Sequence, residues 1–213
     1  PGEPRPGTTG PGAAFHAAVE MVAASQRAGR EITFDELLIS YREAAAEAHG
    51  VTLYTVTETE RSMLRSFWES PDRLATPLYV EAEFYWRVGP GYLHGFIDRI
   101  QRCPDGTIEL IDFKTGRMAT TDVEARQSLQ LLIYTLAARE VYGVVPDRLT
   151  LAYPRTGTRV SVCFTDEELR AARMDIVNLM ERARTASYDE VDTRHCPVCE
   201  YRLICPAASL FQR

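Results

Sequence analysis

Between residues 78 and 87, Leu78, Val80, Ala82, Phe84 and Trp86 alternate with Tyr79, Glu81, Glu83, Tyr85 and Arg87. A period of two is the pattern of a strand with one buried face. Apolar runs from about Tyr92 to Thr115 flank Pro104-Asp105-Gly106 and predict a β-hairpin. Pro and Asp suit the central positions of a type I turn, and glycine takes the left-handed residue after them. Two shorter strands, Leu149 to Tyr153 and Arg159 to Phe164, surround Arg155-Thr156-Gly157-Thr158. Ala13 to Arg30 reads as a helix carrying His16 and Glu20 one turn apart. A long helix is expected from Asp122 to about Val141, with Leu129, Leu132, Ile133 and Leu136 as its apolar stripe. Capping boxes at Thr33/Glu36, Thr57/Glu60 and Thr165/Glu168 open three further helices, the last reaching about Ala186. Helices, three strands, a helix, two strands and a helix make a mixed α/β domain with an antiparallel hairpin in its sheet.

The length of 213 residues and a 45% hydrophobic content allow one sizeable core. No apolar run approaches the roughly 20 residues that span a bilayer, so no membrane partner is expected. The first dozen residues (PGEPRPGTTGPG) resemble a linker. A net charge of -6 disfavours a free-standing, high-affinity nucleic-acid binder, though not a domain tethered to a stronger one. Five cysteines, three of them clustered at Cys196, Cys199 and Cys205, do not form a secreted disulfide pattern. A metal or cluster site in a reducing cytosol fits them better.

The hairpin carries the densest chemistry. Its three-residue loop pairs Cys103 with Thr107, and counting back through the ladder sets Asp98 opposite Asp112. Period two puts Lys114 on the same face. Two facing carboxylates repel across a ladder, and a divalent cation between them would remove that repulsion. Along this face Ile100, Leu110 and Ile108 give way to the aspartates and then to Phe96, Lys114 and His94. A face that turns abruptly from apolar to charged marks a site at the end of a sheet; the bland alternative is a rim salt bridge of little energetic worth.

The stretch GFID98 followed by ID112FK114TG, and then Gln130-Leu131-Leu132-Ile133-Tyr134, resembles the PD-(D/E)xK nuclease superfamily, and within it the RecB-like branch. That branch includes nuclease domains at the C-termini of bacterial UvrD/RecB-type repair helicases and AddB-type subunits. Its G-x-x-x-H motif is matched by Gly12 to His16, and its C-x2-C-x5-C tail by Cys196, Cys199 and Cys205. The matches run in the family's order from about residue 12 to 206. The resemblance implies a restriction-endonuclease-like core: a mixed central sheet flanked by helices, with a helical N-terminal insertion. Residues 1–11 would be linker, 12–206 the nuclease domain, about 31–75 the insertion and 195–206 the cysteine tail.

The resemblance also implies roles. His16, Asp98 and Asp112, with the backbone carbonyl of Phe113, would coordinate Mg²⁺ or Mn²⁺, whose preference for oxygen ligands this set meets. Glu81 is a further candidate carboxylate, favoured over Glu83, and His94 is the runner-up to His16. Lys114 would orient a water or stabilise charge on the phosphate, while Gln130 and Tyr134 would hold the site or touch the DNA backbone. Cys196, Cys199 and Cys205 supply three thiolates where a [4Fe–4S] cluster or zinc wants four; no fourth cysteine stands at the matching upstream position, and His195 is the alternative zinc ligand. The implied function is a metal-dependent DNA exonuclease of DNA repair and recombination, cytoplasmic and nucleoid-associated, working with a helicase motor in the same polypeptide or complex. No Walker A motif is present, so that motor lies outside these residues. The alternatives are an inactive DNA-end-binding scaffold, although Asp98, Asp112 and Lys114 all persist, and a stand-alone restriction-type endonuclease.

Overall fold

The computed structural model describes residues 11–116, 120–186, 193–199 and 201–205. The expected linker, apart from Pro11, therefore lies outside the described residues. Helices α1 (Pro11–Arg27), α2 (Phe34–His49) and α3 (Glu58–Glu69) come first, and a 3₁₀ turn at Pro71–Arg73 leads into the sheet. Strands β1 (Thr76–Val88), β2 (Gly91–Arg102) and β3 (Ile108–Phe113) follow, then α4 (Asp122–Arg126), α5 (Leu129–Tyr142), β4 (Arg148–Tyr153), β5 (Thr158–Val162) and α6 (Asp166–Thr185). The five strands stand in the order β1-β2-β3-β4-β5, antiparallel throughout except for the parallel pair β3/β4. A parallel pair needs a long crossover, and α4 and α5 supply it. This is a mixed five-stranded sheet with flanking helices, the architecture that the resemblance implies.

Local chemistry explains most boundaries. Thr33, Thr57 and Thr165 each accept the N–H of the residue three along, and the glutamate there reaches back to the threonine N–H. The hairpin turn closes through Gly106 N–H to Cys103 O and Cys103 N–H to Thr107 O, both 2.9 Å. β2 and β3 pair in the expected register, Arg102 with Ile108 through Arg99 with Ile111.

The single long helix expected from Asp122 to Val141 is two helices. A fourth capping box, Thr121 with Glu124, opens α4, and the Ser128 hydroxyl accepts the Leu131 N–H to start α5 afresh. An apolar stripe alone cannot reveal that break, because serine caps a new helix as readily as it sits in an old one. Accordingly the buried face of α5 is Leu131, Thr135, Leu136, Ala137 and Ala138, and Leu129 is exposed.

The sheet is covered on both faces. One core joins Phe84, Trp86, Ile97, Ile100, Leu110 and Leu151 to α5 and α6. The other joins Ile111, Phe113 and Ala152 to α1, α2 and α3 through Phe15, Tyr41, Leu64 and Phe67. Beside this second core, at the turn end of the hairpin, lies a buried charged network. Glu109 accepts from Arg148 at 2.9 Å, Arg159 and Gln101 at 3.1 Å, and Thr150, while Asp72 accepts from Gln101 and Arg159. Burial pushes the Glu109 carboxyl up, but Arg148, Thr150, Arg159 and Gln101 outweigh it and hold it down at about 2. A carboxyl depressed on folding lends stability above its unfolded pKa, about 4.3, and loses it as pH falls through the folded value. The urea midpoint is therefore expected to drop from about pH 4.3 toward pH 2, and Glu109→Gln should flatten that limb; an unchanged slope in the variant would rule this source out.

Candidate active site

The site forms where the sheet forks. β2 pairs with both neighbours only from Arg99 to Arg102; from Ile97 back to Gly91 it pairs with β1 alone, and Asp98 between them has no partner in either ladder. β3 meanwhile stays with β4 through Phe113, and the Lys114 N–H continues to Ala152 O at 2.8 Å. The aspartates stand one step beyond the last β2/β3 pair. There Asp98 Oδ2 accepts the Phe113 N–H at 2.6 Å, a side chain replacing the lost strand partner. The fork opens a cleft of ≈ 830 Å³ whose walls include Asp98, Asp112, Lys114, His16 and Glu81.

β1 is irregular at the same level. Glu81, level with Asp98, is absent from the β1/β2 ladder and has φ 47°. That left-handed backbone is costly for a residue with a Cβ. Past it the alternation changes phase: Ile97 and Ile100, three apart, both enter the core under α5 and α6. The Glu81 carboxylate meets His16, with Oε1 3.1 Å from Nδ1, whereas Glu83 remains exposed and binds His94 Nε2 at 2.9 Å. The structure thus separates the two glutamates that the sequence leaves on one face, and it sets His94 against Glu83 and apart from the carboxylate cluster.

α1 brings His16 to the fork. A Cβ on Gly12 would sit 3.3 Å from Thr115 Oγ1, so glycine lets the start of α1 lie close against the chain leaving β3. One turn later His16 reaches Glu81, with Asp98 Oδ1 3.7 Å from its Nδ1. Phe15, fully buried, wedges against Phe67 and Phe113 at ring distances of 5.9 and 5.5 Å and fixes the helix to β3.

His16, Glu81 and Asp98 each offer a ligand atom within 4.8 Å of the others. Asp112, 3% exposed, adds its charge from β3. Lys114 Nζ lies 2.8 Å from Asp112 Oδ2, an ion pair without hydrogen-bond alignment. Lys114 also donates to Gln130 Oε1 at 3.3 Å, and Gln130 donates to the Tyr134 hydroxyl at 2.9 Å. The break before α5 places those two residues in its first two turns. Phe113 lines the cleft.

Electrostatics follow from crowding. Burial pushes Asp98 up to about 7, Asp112 and Glu81 adding to the effect and His16 and the Phe113 N–H opposing it. For His16, burial lowers the pKa, but the Glu81 hydrogen bond and the Asp98, Glu81 and Asp112 charges outweigh it, and the net shift is upward. Two carboxylates and one imidazole within ligand reach of one another, with the buried Asp112 carboxylate beside them, suit a hard divalent cation that tolerates one nitrogen ligand. The donor set fits the ion.

Tyr153, at the end of β4, was not anticipated. Its hydroxyl donates to Thr120 Oγ1 at 2.8 Å and accepts the Thr120 N–H at 3.0 Å, anchoring the chain beyond Lys114. Nothing in a strand-terminal tyrosine signals that task. Cys196, Cys199 and Cys205 are free thiols, and among the described residues the His16 group is the one metal-ligating cluster. The His195 side chain lies outside the described residues.

The five-stranded mixed sheet with a carboxylate-bearing cleft at its fork is the arrangement of a PD-(D/E)XK nuclease-like α/β domain. The chain belongs to the PD-(D/E)XK nuclease superfamily, whose family model matches residues 3–206. Members of this superfamily are typically metal-dependent nucleases, so membership points to nuclease activity. Comparison with curated proteins returned no match. Among solved structures, one described as the crystal structure of SSO0001 is similar at 18% identity, covering 96% of this chain and 89% of that chain with a TM-score of 0.44. No helix among the described residues is long and apolar enough to cross a membrane.

Proposed function

We propose that this chain is a Mg²⁺- or Mn²⁺-dependent DNA nuclease domain of the RecB-like branch, acting exonucleolytically beside a helicase motor in DNA repair. The observation that carries the chemistry is the convergence of His16, Glu81 and Asp98 from three elements on one fork, next to the Asp112–Lys114 pair. Support for the branch is the order of the Gly12–His16, Asp98, Asp112–Lys114 and Gln130–Tyr134 motifs along residues 12–206, which we take as the nuclease domain. α2 and α3 are its helical insertion.

His16, Glu81, Asp98, Asp112 and the Phe113 carbonyl would hold the ion. When bound, it supplies Lewis acidity toward the phosphate and lowers the pKa of a coordinated water. The Lys114 ammonium, kept beside Asp112 by Gln130, stabilises negative charge growing on the phosphate as the P–O bond breaks. Tyr134 steadies Gln130. Burial of the carboxylates strengthens each of these contacts relative to water.

Asp98 and His16 both have raised pKa values, so a cation must compete with protons for this pair of ligands. Mn²⁺ affinity is thus expected to rise with pH through about 7, and calorimetry in buffers of different ionisation enthalpy should show proton release. A pH-independent affinity would remove the Asp98–His16 pair from the ligand set. Cleavage of end-labelled linear DNA against closed circles tests the exonuclease assignment.

A further inference from the structure

Beyond the fork, the β1/β2 ribbon runs free of β3, and its two faces differ. One face (Phe84, Trp86, Leu93) packs on the core under α5 and α6. The other carries Tyr85 opposite His94, Glu83 opposite Phe96 and Arg87 opposite Tyr92. Tyr85 and Tyr92 are 63% and 66% exposed. Tyr85 and His94 stack with ring centroids 4.3 Å apart and planes 9° apart, and Phe96 sets its ring against His94 at 5.3 Å. Glu83 pins the His94 ring at 2.9 Å. The rings are therefore ordered before any ligand arrives. The row is continuous with the cleft, since His94 and Phe96 line it together with Asp98.

We propose that this face is a stacking platform for unpaired nucleotide bases, guiding a single DNA strand to the carboxylate cluster; the proposal rests on the nuclease reading above. Every base has a π-face, so stacked aromatics bind single strands without regard to sequence. A duplex keeps those faces inside its own stack and cannot use the rings. Arg87 adds a cation for the backbone of the strand. Alternate residues on an antiparallel strand lie about 6.8 Å apart, so Tyr92, His94 and Phe96 form a graded path ending at Asp98.

The test is fluorescence polarisation of a labelled oligothymidylate and of a blunt-ended, fully paired duplex, in EDTA at low ionic strength, with wild type, Tyr85→Ala, Phe96→Ala and the ring-preserving Tyr85→Phe. Single-strand affinity should fall at least about fivefold in each alanine variant, the lower end for losing one base stack. It should persist in Tyr85→Phe, and duplex binding should be unmoved. Equal losses on both ligands, no loss in either alanine variant, or no single-strand binding by wild type overturns the platform. Because EDTA removes cleavage, the nuclease reading is judged separately: wild type that binds through these rings yet cuts nothing with Mn²⁺ supports the platform and refutes the nuclease. Tyr85 is largely exposed, so Tyr85→Ala carries the test even if Phe96→Ala unfolds.

Discussion

Replacing Asp112 with alanine is expected to lower DNA cleavage by about a thousandfold or more while leaving the fold as stable as before. The first half follows from the metal site. A ligand that places a divalent cation against the scissile phosphate supplies several kcal/mol of charge stabilisation, and every 1.36 kcal/mol is tenfold in rate. The second half follows from crowding. Asp112 is buried, and its charge bears on Asp98 as that of Glu81 does; carboxylates packed together without a cation repel one another. Removing one relieves that repulsion and forfeits only an ion pair to a partly exposed lysine. Single-turnover cleavage of labelled DNA and thermal unfolding in EDTA, read on the same preparation, check both halves. A variant that loses activity only in proportion to lost folded protein would assign Asp112 a structural task instead.

Phe15→Ala is expected to have the largest effect on stability, about 3–5 kcal/mol for an emptied aromatic site. For a chain of this size that is a fall in Tm of roughly 6–20 °C. Phe15 is fully buried, and its ring meets Phe67 of α3 and Phe113 of β3 edge to face. The cavity would therefore lie between the helical layer and the strand that carries Asp112. His16 is the next residue, so loosening α1 should also weaken Mn²⁺ binding. Urea unfolding measures the first effect and Mn²⁺ titration the second. Full Mn²⁺ affinity in the variant at temperatures where it is folded would mean that His16 is positioned without the Phe15 wedge.

The sequence made the hairpin legible because a tight turn fixes register: Pro104-Asp105-Gly106 sets Cys103 against Thr107, and the ladder counts on from there. Three helix starts were equally plain, since a capping box is chemistry among neighbours. What depended on distant partners was not. That β2 deserts β3 at Asp98 is decided by packing across the sheet, and no local pattern encodes it. Glu81 and Glu83 looked alike because alternation places both on one face; a left-handed backbone at Glu81, unmarked by glycine, gives them different partners. His16 lies 82 residues before Asp98, and only the resemblance through Gly12 linked them; the glycine's physical reason, the close approach to Thr115, is visible only in the fold. Arg99, Gln101 and Glu109 have the polar identities of a solvated face, yet all three are buried. Period and polarity cannot announce the layer that covers them.

The most direct measurement of the central claim is degradation of end-labelled linear DNA by the wild-type chain with Mn²⁺, compared with the same reaction in EDTA. The account predicts shortening of the labelled strand with Mn²⁺ and intact DNA in EDTA. DNA left intact by folded protein with Mn²⁺ present, or degraded equally in EDTA, would contradict it.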